Sequence, residues 1–232
     1  MRVLVTGTSR GIGLEFTRQY LEAGHRVFAL ARSPGQSAGL GALAERYPDA
    51  LVRVECDVSD DASVARACKT VAWATDVLDH VLNNAGTFGQ DDDRLEDLDF
   101  NVMRQVFEVN TFGAIRVTRE FLPLLRKGRL PKLVHVTSLM GSVDDNRSGG
   151  NWSYRMSKAA LHMASRNLAL ELARESIISV VIHPGWVRTD MGGAGAPLSV
   201  EDSVGAMIRT IEHLTPDDSG RFLDRHGKPA PW

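Results

Sequence analysis

Thr6-Gly7-Thr8-Ser9-Arg10-Gly11-Ile12-Gly13 stands between a short apolar run, Arg2–Thr6, and the first helical period of the chain. Glycine here allows a tight turn, a close approach of backbone to a diphosphate, and close packing of helix on strand. The start of that helix offers unbonded N–H groups and a partial positive charge to an anion. The spacing is Gly-x-x-x-Gly-x-Gly rather than Gly-x-Gly-x-x-Gly. A glycine triplet alone also fits an ordinary turn. At a strand-turn-helix junction opening an α/β chain, it points to a dinucleotide.

The same alternation continues outward from this loop. Short apolar, β-branched runs at Arg2–Thr6, Arg26–Ala31, 51–56, His80–Asn83, 132–137, 177–183 and 221–224 read as buried strands. Between them lie amphipathic stretches near 11–23, 37–46, 60–75, 102–127, 153–174 and 199–213. Strands alternating with helices make βαβ units. The expected fold is α/β: one doubly wound Rossmann-type domain over residues 1–232, with a parallel sheet of about seven strands and helices on both faces. Ligands of such sheets bind beyond the carboxyl ends of the strands. The stretches 87–100, 140–152 and 189–198 read as loops beside that edge. The first holds Asp91, Asp92 and Asp93, which read as a solvated loop, with an acidic metal site as the alternative.

The second strand decides the cofactor. NAD binders place an acidic residue about 20 positions beyond the glycines to hold the ribose 2′-hydroxyl. Here the strand ends Leu30-Ala31-Arg32-Ser33, without an acid. Arg32 stands where a 2′-phosphate would lie, and Arg10 sits within the glycine loop. Two guanidiniums suit a phosphate that a carboxylate would repel, so the expected cofactor is NADP(H). As the alternative, both arginines are solvated surface residues.

Composition closes off other classes. Of 232 residues, 43% are hydrophobic and 24% charged, enough apolar material for a core. Lys+Arg number 27 against Asp+Glu 29, for a net charge of −2. That balance argues against a nucleic-acid or anionic-membrane partner. Two cysteines, Cys56 and Cys68, supply neither a disulfide framework nor a zinc set. No apolar run is long enough to span a membrane, and the N-terminus lacks a secretory pattern, so the expected location is cytoplasmic. The seven histidines, including His135, His162 and His183, show no ligand spacing and read as structural, with no metal required.

Further motifs follow in order: Asp57-Val58, Asn83-Asn84-Ala85-Gly86, Asn110, Ser138, Tyr154-Arg155-Met156-Ser157-Lys158, and Pro184-Gly185-Trp186-Val187-Arg188-Thr189. Tyr154 and Lys158, four apart on a helix, share a face. A free tyrosine, with a pKa near 10, is a poor acid–base group at neutral pH, and a neighbouring ammonium is expected to lower it. Ser138, directly after a strand, can hydrogen-bond a carbonyl and the alkoxide that develops from it.

With these motifs the whole chain resembles the short-chain dehydrogenase/reductase family in its shorter branch. The stretch 145–158 and the ending 222–232 resemble the Sniffer, C-factor and carbonyl reductase-like subgroup. The resemblance implies a catalytic set of Asn110, Ser138, Tyr154 and Lys158, with Asn110 at a local helix distortion holding a water that links Lys158 to bulk protons. It implies cofactor contacts from Gly7, Ser9, Arg10, Gly11, Ile12, Gly13 and Arg32. Asp57 is implied at the adenine amine with Val58 beside the ring, and Asn84, Ala85 and Gly86 beside a ribose. Tyr154 and Lys158 also join the cofactor, and Pro184, Gly185, Val187 and Thr189 grip the nicotinamide carboxamide.

Met140, Val143, Trp152, Trp186 and Met191 are expected to form an apolar substrate wall, under a short lid. The expected substrate is a small carbonyl or alcohol compound. The leading activity is NADPH-dependent reduction of an aldehyde or ketone. One alternative is an NADP(H)-binding signalling protein of C-factor type. Another is a ketoacyl reductase acting on an acyl carrier, with Arg126, Lys127 and Arg129 as basic docking residues. The long helical stretches 102–127 and 153–174 are expected to pair across a two-fold axis, giving a homodimer or homotetramer. Trp232, after Pro229-Ala230-Pro231, reads either as an aromatic that docks on a neighbour or as part of a disordered tail.

Overall fold

A computed structural model of the chain describes residues 1–90 and 94–232. Asp91, Asp92 and Asp93, and with them the alternative of an acidic metal site, lie outside the described residues.

Seven strands form one parallel sheet: β1 (Arg2–Thr6), β2 (Arg26–Ala31), β3 (Leu51–Glu55), β4 (His80–Asn83), β5 (Lys132–Val136), β6 (Ile178–His183) and β7 (Phe222–Asp224). Their order is β3-β2-β1-β4-β5-β6-β7, with every neighbouring pair parallel. The order reverses between β1 and β4, so a crevice opens there beyond the strand ends. The helices between the strands are α1 (Gly11–Glu22), α2 (Ala38–Arg46), α3 (Asp61–Ala74), α4 (Phe100–Phe107), α5 (Gly113–Leu125), α6 (Trp152–Glu171) and α7 (Val200–His213).

Alternate strand residues feed two cores. Val3 and Val5 point to one face, where Phe16 and Tyr20 of α1, Leu40 of α2 and Met207 of α7 cover them. Leu4 and Phe28 point to the other, against Val64 of α3, Val117 and Phe121 of α5, and Leu172 just beyond α6. Fully burying such a side chain stabilises by roughly 1.5–3 kcal/mol. Truncating Phe121 to alanine would cost about 3–5 kcal/mol, because the cavity adds to the lost transfer energy.

The helical stretch expected at 102–127 carries a distortion at Asn110, as the resemblance implies. It starts earlier, at Phe100, where Asp99 caps the Asn101 and Val102 amides. It then widens into a π-helical turn, Glu108–Phe112, before α5. The strands expected at 51–56, 132–137, 177–183 and 221–224 each lose one terminal residue.

Candidate active site

The glycine loop bends through left-handed backbone at Gly7 (φ +71°) and Gly11 (φ +55°), which favours glycine. A Cβ on Gly13 would come within 2.2 Å of the Gly7 carbonyl oxygen, and one on Gly7 within 2.8 Å of Ala85 Cα. The loop therefore lies flat against the end of β4. Asn84 holds it there, its Nδ2 donating to the Thr6 carbonyl at 2.9 Å and to that of Gly7 at 3.3 Å. Thr6 Oγ1 accepts from the Asn84 and Ala85 amides at 3.0 and 2.9 Å. Arg10 stands at the N-cap of α1 and supplies no side-chain cap to its first amides. A bare helix start behind a cradle that only glycine fits suits a diphosphate.

Arg10 Nε meets Asp190 at 3.2 Å in a pair that is more than three-quarters exposed on both sides. Arg32 lies at the end of β2, and its charge acts on Asp57. Burial pushes the Asp57 carboxyl up, but two hydrogen bonds from Ser59 and the Arg32 charge outweigh it, and the group is held below its ordinary value. Asp57 Oδ1 accepts from the Ser59 amide at 2.9 Å and its hydroxyl at 2.6 Å. Val58 is 7% exposed and packs under Gly113, where a Cβ would strike it at 2.8 Å. Ser9 is exposed, and its carbonyl accepts from Ser37 Oγ at 2.7 Å. Ile12 is half-buried.

Asn110 sits inside the π-helical turn, a place where such distortions often serve a site. Its Oδ1 accepts the Thr87 amide and its Nδ2 donates to the Thr87 carbonyl, both at 2.8 Å. The same Nδ2 donates to Ser157 Oγ at 3.0 Å. A Cβ on Gly86 would lie 3.4 Å from Asn110 Oδ1 and 3.6 Å from Lys158 Nζ, so the three adjoin. Lys158 Nζ donates to the Val136 carbonyl at 3.1 Å and lies 5.7 Å from the centre of the Tyr154 ring. Ser138 follows β5, takes the Met140 amide on its Oγ at 3.1 Å, and hydrogen-bonds Tyr154.

Tyr154 and Lys158 are both buried. Burial raises the Tyr154 phenol to about 12, against a downward pull from Ser138. Burial lowers Lys158 to about 8. The Tyr154 shift therefore runs opposite to the expected lowering by Lys158: desolvation of the phenolate raises the group, and the one opposing cause is the Ser138 hydrogen bond.

After β6, the Pro184 carbonyl accepts from Ser203 Oγ at 2.8 Å. Gly185 has φ +81°, and a Cβ there would reach Leu198 at 2.5 Å. Val187 is buried and bridges to Leu198. Thr189 Oγ1 accepts the Gly192 amide at 3.0 Å, and Thr189 approaches Gly11, where a Cβ would lie 3.4 Å from it. The two segments expected to hold the cofactor therefore meet.

The five predicted wall residues form no buried wall. Met140 is half-buried, whereas Val143, Trp152, Trp186 and Met191 are exposed. Trp186 Nε1 donates to the Gly192 carbonyl at 2.8 Å. Sequence reasoning missed Phe88, whose ring lies 4.8 Å from that of Tyr154. It follows the Asn-Asn-Ala-Gly run by two residues, and no periodicity marks it. Trp232 also departs from expectation. It packs on Phe222 and His162 of its own chain, at 5.6 and 5.7 Å between ring centres, rather than standing free. Arg126 pairs with Glu175, and Gly128 abuts the Leu78 carbonyl ahead of β4. The basic residues Arg126, Lys127 and Arg129 thus lie at the sheet edge opposite Ser138, which removes the geometric basis for carrier docking there. The histidines at 80, 135, 162 and 183 are lowered by burial, as structural residues are. Among the described residues no cluster of metal-ligating side chains occurs.

The profile of the family described as short chain dehydrogenase matches residues 1–196. C-signal of Myxococcus xanthus is 47% identical over 165 residues, covering 69% of this chain and 99% of that protein. The crystal structure of NADPH-bound carbonyl reductase from chicken fatty liver superposes with a TM-score of 0.93 at 35% identity, covering 100% of this chain and 98% of that one. Carbonyl reductase Sniffer of D. melanogaster gives a TM-score of 0.95 at 30% identity, with 100% and 99% covered.

Proposed function

The chain belongs to the short chain dehydrogenase family, and from that premise we propose that it is an NADP(H)-dependent carbonyl reductase acting on small aldehydes or ketones. The observation that carries this reading is the grouping of Tyr154, Ser138 and Lys158 at the carboxyl edge of the sheet, on the same edge as the glycine cradle. Gly7, Gly11, Gly13 and the α1 amides would hold the diphosphate, Arg32 and Arg10 the 2′-phosphate, and Val187 and Thr189 the carboxamide. Asp57, with Val58 under it, would lie at the adenine end, and Asn84, Ala85 and Gly86 beside a ribose. Reduced cofactor, when bound, supplies the hydride.

The chain's own part is the proton and its placement. Tyr154 donates its hydroxyl proton to the carbonyl oxygen. Ser138 Oγ hydrogen-bonds the same oxygen as charge builds on it. Lys158, still largely an ammonium at neutral pH, stabilises the phenolate that remains. Asn110 braces the segment that carries Phe88 over the Tyr154 ring. The exposed apolar side chains of Val143, Trp186 and Met191 would suit an apolar carbonyl compound in an open site.

A panel of aldehydes and ketones, followed by loss of reduced-nicotinamide absorbance, tests this. Tyr154→Phe should lower turnover at least ~10²-fold while cofactor affinity holds. Lys158→Met should impair both. Full activity in the phenylalanine variant would sink the mechanism. The 47% identity to C-signal favours a second reading, an NADP(H)-binding signalling protein. It predicts tight cofactor binding with no turnover across the panel.

A further inference from the structure

Two sets of contacts converge on the segment that carries Ser138. On its strand side, Thr137 Oγ1 lies 2.7 Å from His162 Nε2, and His162 is 4% exposed. On its loop side, Ser142 Oγ donates to the main-chain oxygen of Trp232 at 2.9 Å, and the Asp144 amide donates to the same atom at 2.8 Å. Ser142 Oγ also accepts the Asp145 amide at 2.9 Å.

The two anchors meet in one aromatic group. Trp232 stands edge-on to His162 and tilted on Phe222, while His162 packs on Phe222 at 4.4 Å between ring centres. The return from β7 delivers Trp232 there, through the Ala230 amide on the Phe222 carbonyl at 2.8 Å and a bridge from Leu223 to Pro229. The turn between the anchors, Leu139–Gly141, is a single 3₁₀ turn, too short to hold its own shape. It is also tightly enclosed: a Cβ on Gly141 would lie 2.7 Å from Lys158 Cβ and 2.9 Å from His162 Cε1.

We propose that Trp232 is a positioning residue, a clasp that holds segment 138–145 against α6 and so fixes the Ser138 hydroxyl and the Met140 part of the substrate wall. This rests on the carbonyl reductase reading of Ser138. Trp232 makes the clasp in two ways. Its ring seats it on His162 and Phe222, and its main-chain oxygen then collects both donors from the loop. Loss of the ring leaves the oxygen in the chain but without a fixed place. A displacement near 1 Å at a reacting centre can cost on the order of 10²-fold.

The test compares Trp232→Ala with Trp232→Phe. The alanine variant should lose about ten- to a hundredfold in kcat/KM for a carbonyl substrate. Its NADPH affinity should stay within about twofold, because the glycine loop lies elsewhere on the edge. Phenylalanine, which keeps an aromatic seat, should restore most of the loss. Hydrogen exchange of the free protein gives a readout that needs no turnover: the Asp144 and Asp145 amides should exchange several-fold faster in the alanine variant, with β1 and α1 unchanged. Unchanged exchange at those amides overturns the clasp. So does faster exchange throughout the sheet, or a phenylalanine variant no better than alanine. A native protein inactive on every carbonyl compound would instead defeat the functional reading, and exchange at Asp144 and Asp145 would still decide the clasp.

Discussion

Tyr154 and Lys158 are moved in opposite directions by the same cause. Each loses hydration of its charged form, so the phenol rises to about 12 and the ammonium falls to about 8. A tyrosine that keeps its proton at neutral pH is suited to donate it to a carbonyl oxygen. At the cofactor end, residue-scale charge makes the sharpest claim. The exposed Arg10–Asp190 pair contributes at most about 1 kcal/mol, too little to hold Arg10 from a 2′-phosphate. NADPH should therefore bind more tightly than NADH, with exposure reducing the preference to nearer tenfold than the ~10²–10⁴ of two well-formed charged bonds. Arg32→Ala should erase most of it. Titration of the unmodified protein with both cofactors checks this, and equal affinities would make both arginines surface residues.

At the scale of elements, the side chains of Asn110 and Thr111 tie the π-helical turn between α4 and α5 to its surroundings, and Thr111 Oγ1 donates to the Ser157 carbonyl at 2.8 Å. Asn110 satisfies both the amide and the carbonyl of Thr87, and it bonds Ser157 on α6. Alanine there would leave part-buried polar groups unpaired, at about 1–3 kcal/mol. For a chain of this size that corresponds to a drop of roughly 2–12 °C in Tm. Turnover should fall as well, since the Thr87 clamp is what places Phe88 on the Tyr154 ring. Thermal unfolding followed by circular dichroism would reveal the first effect. An Asn110→Ala protein with an unchanged Tm would show that the turn is held without Asn110.

Two expectations belong to the whole molecule. The outer faces of α4, α5 and α6 expose Phe100, Ile115, Met156 and Met163, the π-helical turn exposes Phe112, and a groove of about 290 Å³ runs between Phe100, Phe107, Phe112 and Met156. Apolar surface of this kind on two long helical stretches is the basis for expecting a dimer or tetramer of the 25.4 kDa chain. Light scattering that finds only monomer at micromolar concentration would reject it. The second expectation concerns acid. Burial holds His80 and His135 near 3 and His162 near 4. An unfolded histidine titrates near 6.5. Between these values the unfolded chain binds protons that the native state does not, so stability rises with pH and is lost as pH falls below about 6.5. Each histidine contributes up to about 1.4 kcal/mol per pH unit in that window. Urea unfolding at pH 7 and pH 5 should show a clear loss at the lower pH, and equal midpoints would contradict it.

Much of this was determined by the sequence alone. The bounds of β1, β2 and β4 are legible because apolar, β-branched runs end abruptly at turn residues, and strand alternation with helices dictates a parallel sheet. Tyr154 and Lys158 are legible because helical periodicity places them on one face, and the glycine loop because only glycine tolerates its backbone. The tertiary structure decided what depends on contacts between distant segments. Asn110, in its π-helical turn, meets both the amide and the carbonyl of Thr87 on another segment. Phe88, the residue after Thr87, meets the Tyr154 ring beside that clamp. The direction of the Tyr154 shift follows from burial, which no local pattern records. Trp232 returns to its own chain because β7 delivers it to His162, a helix residue that the sequence keeps 70 positions away. Local periodicity reports which face of an element is apolar; it carries no information on which remote polar group will meet it.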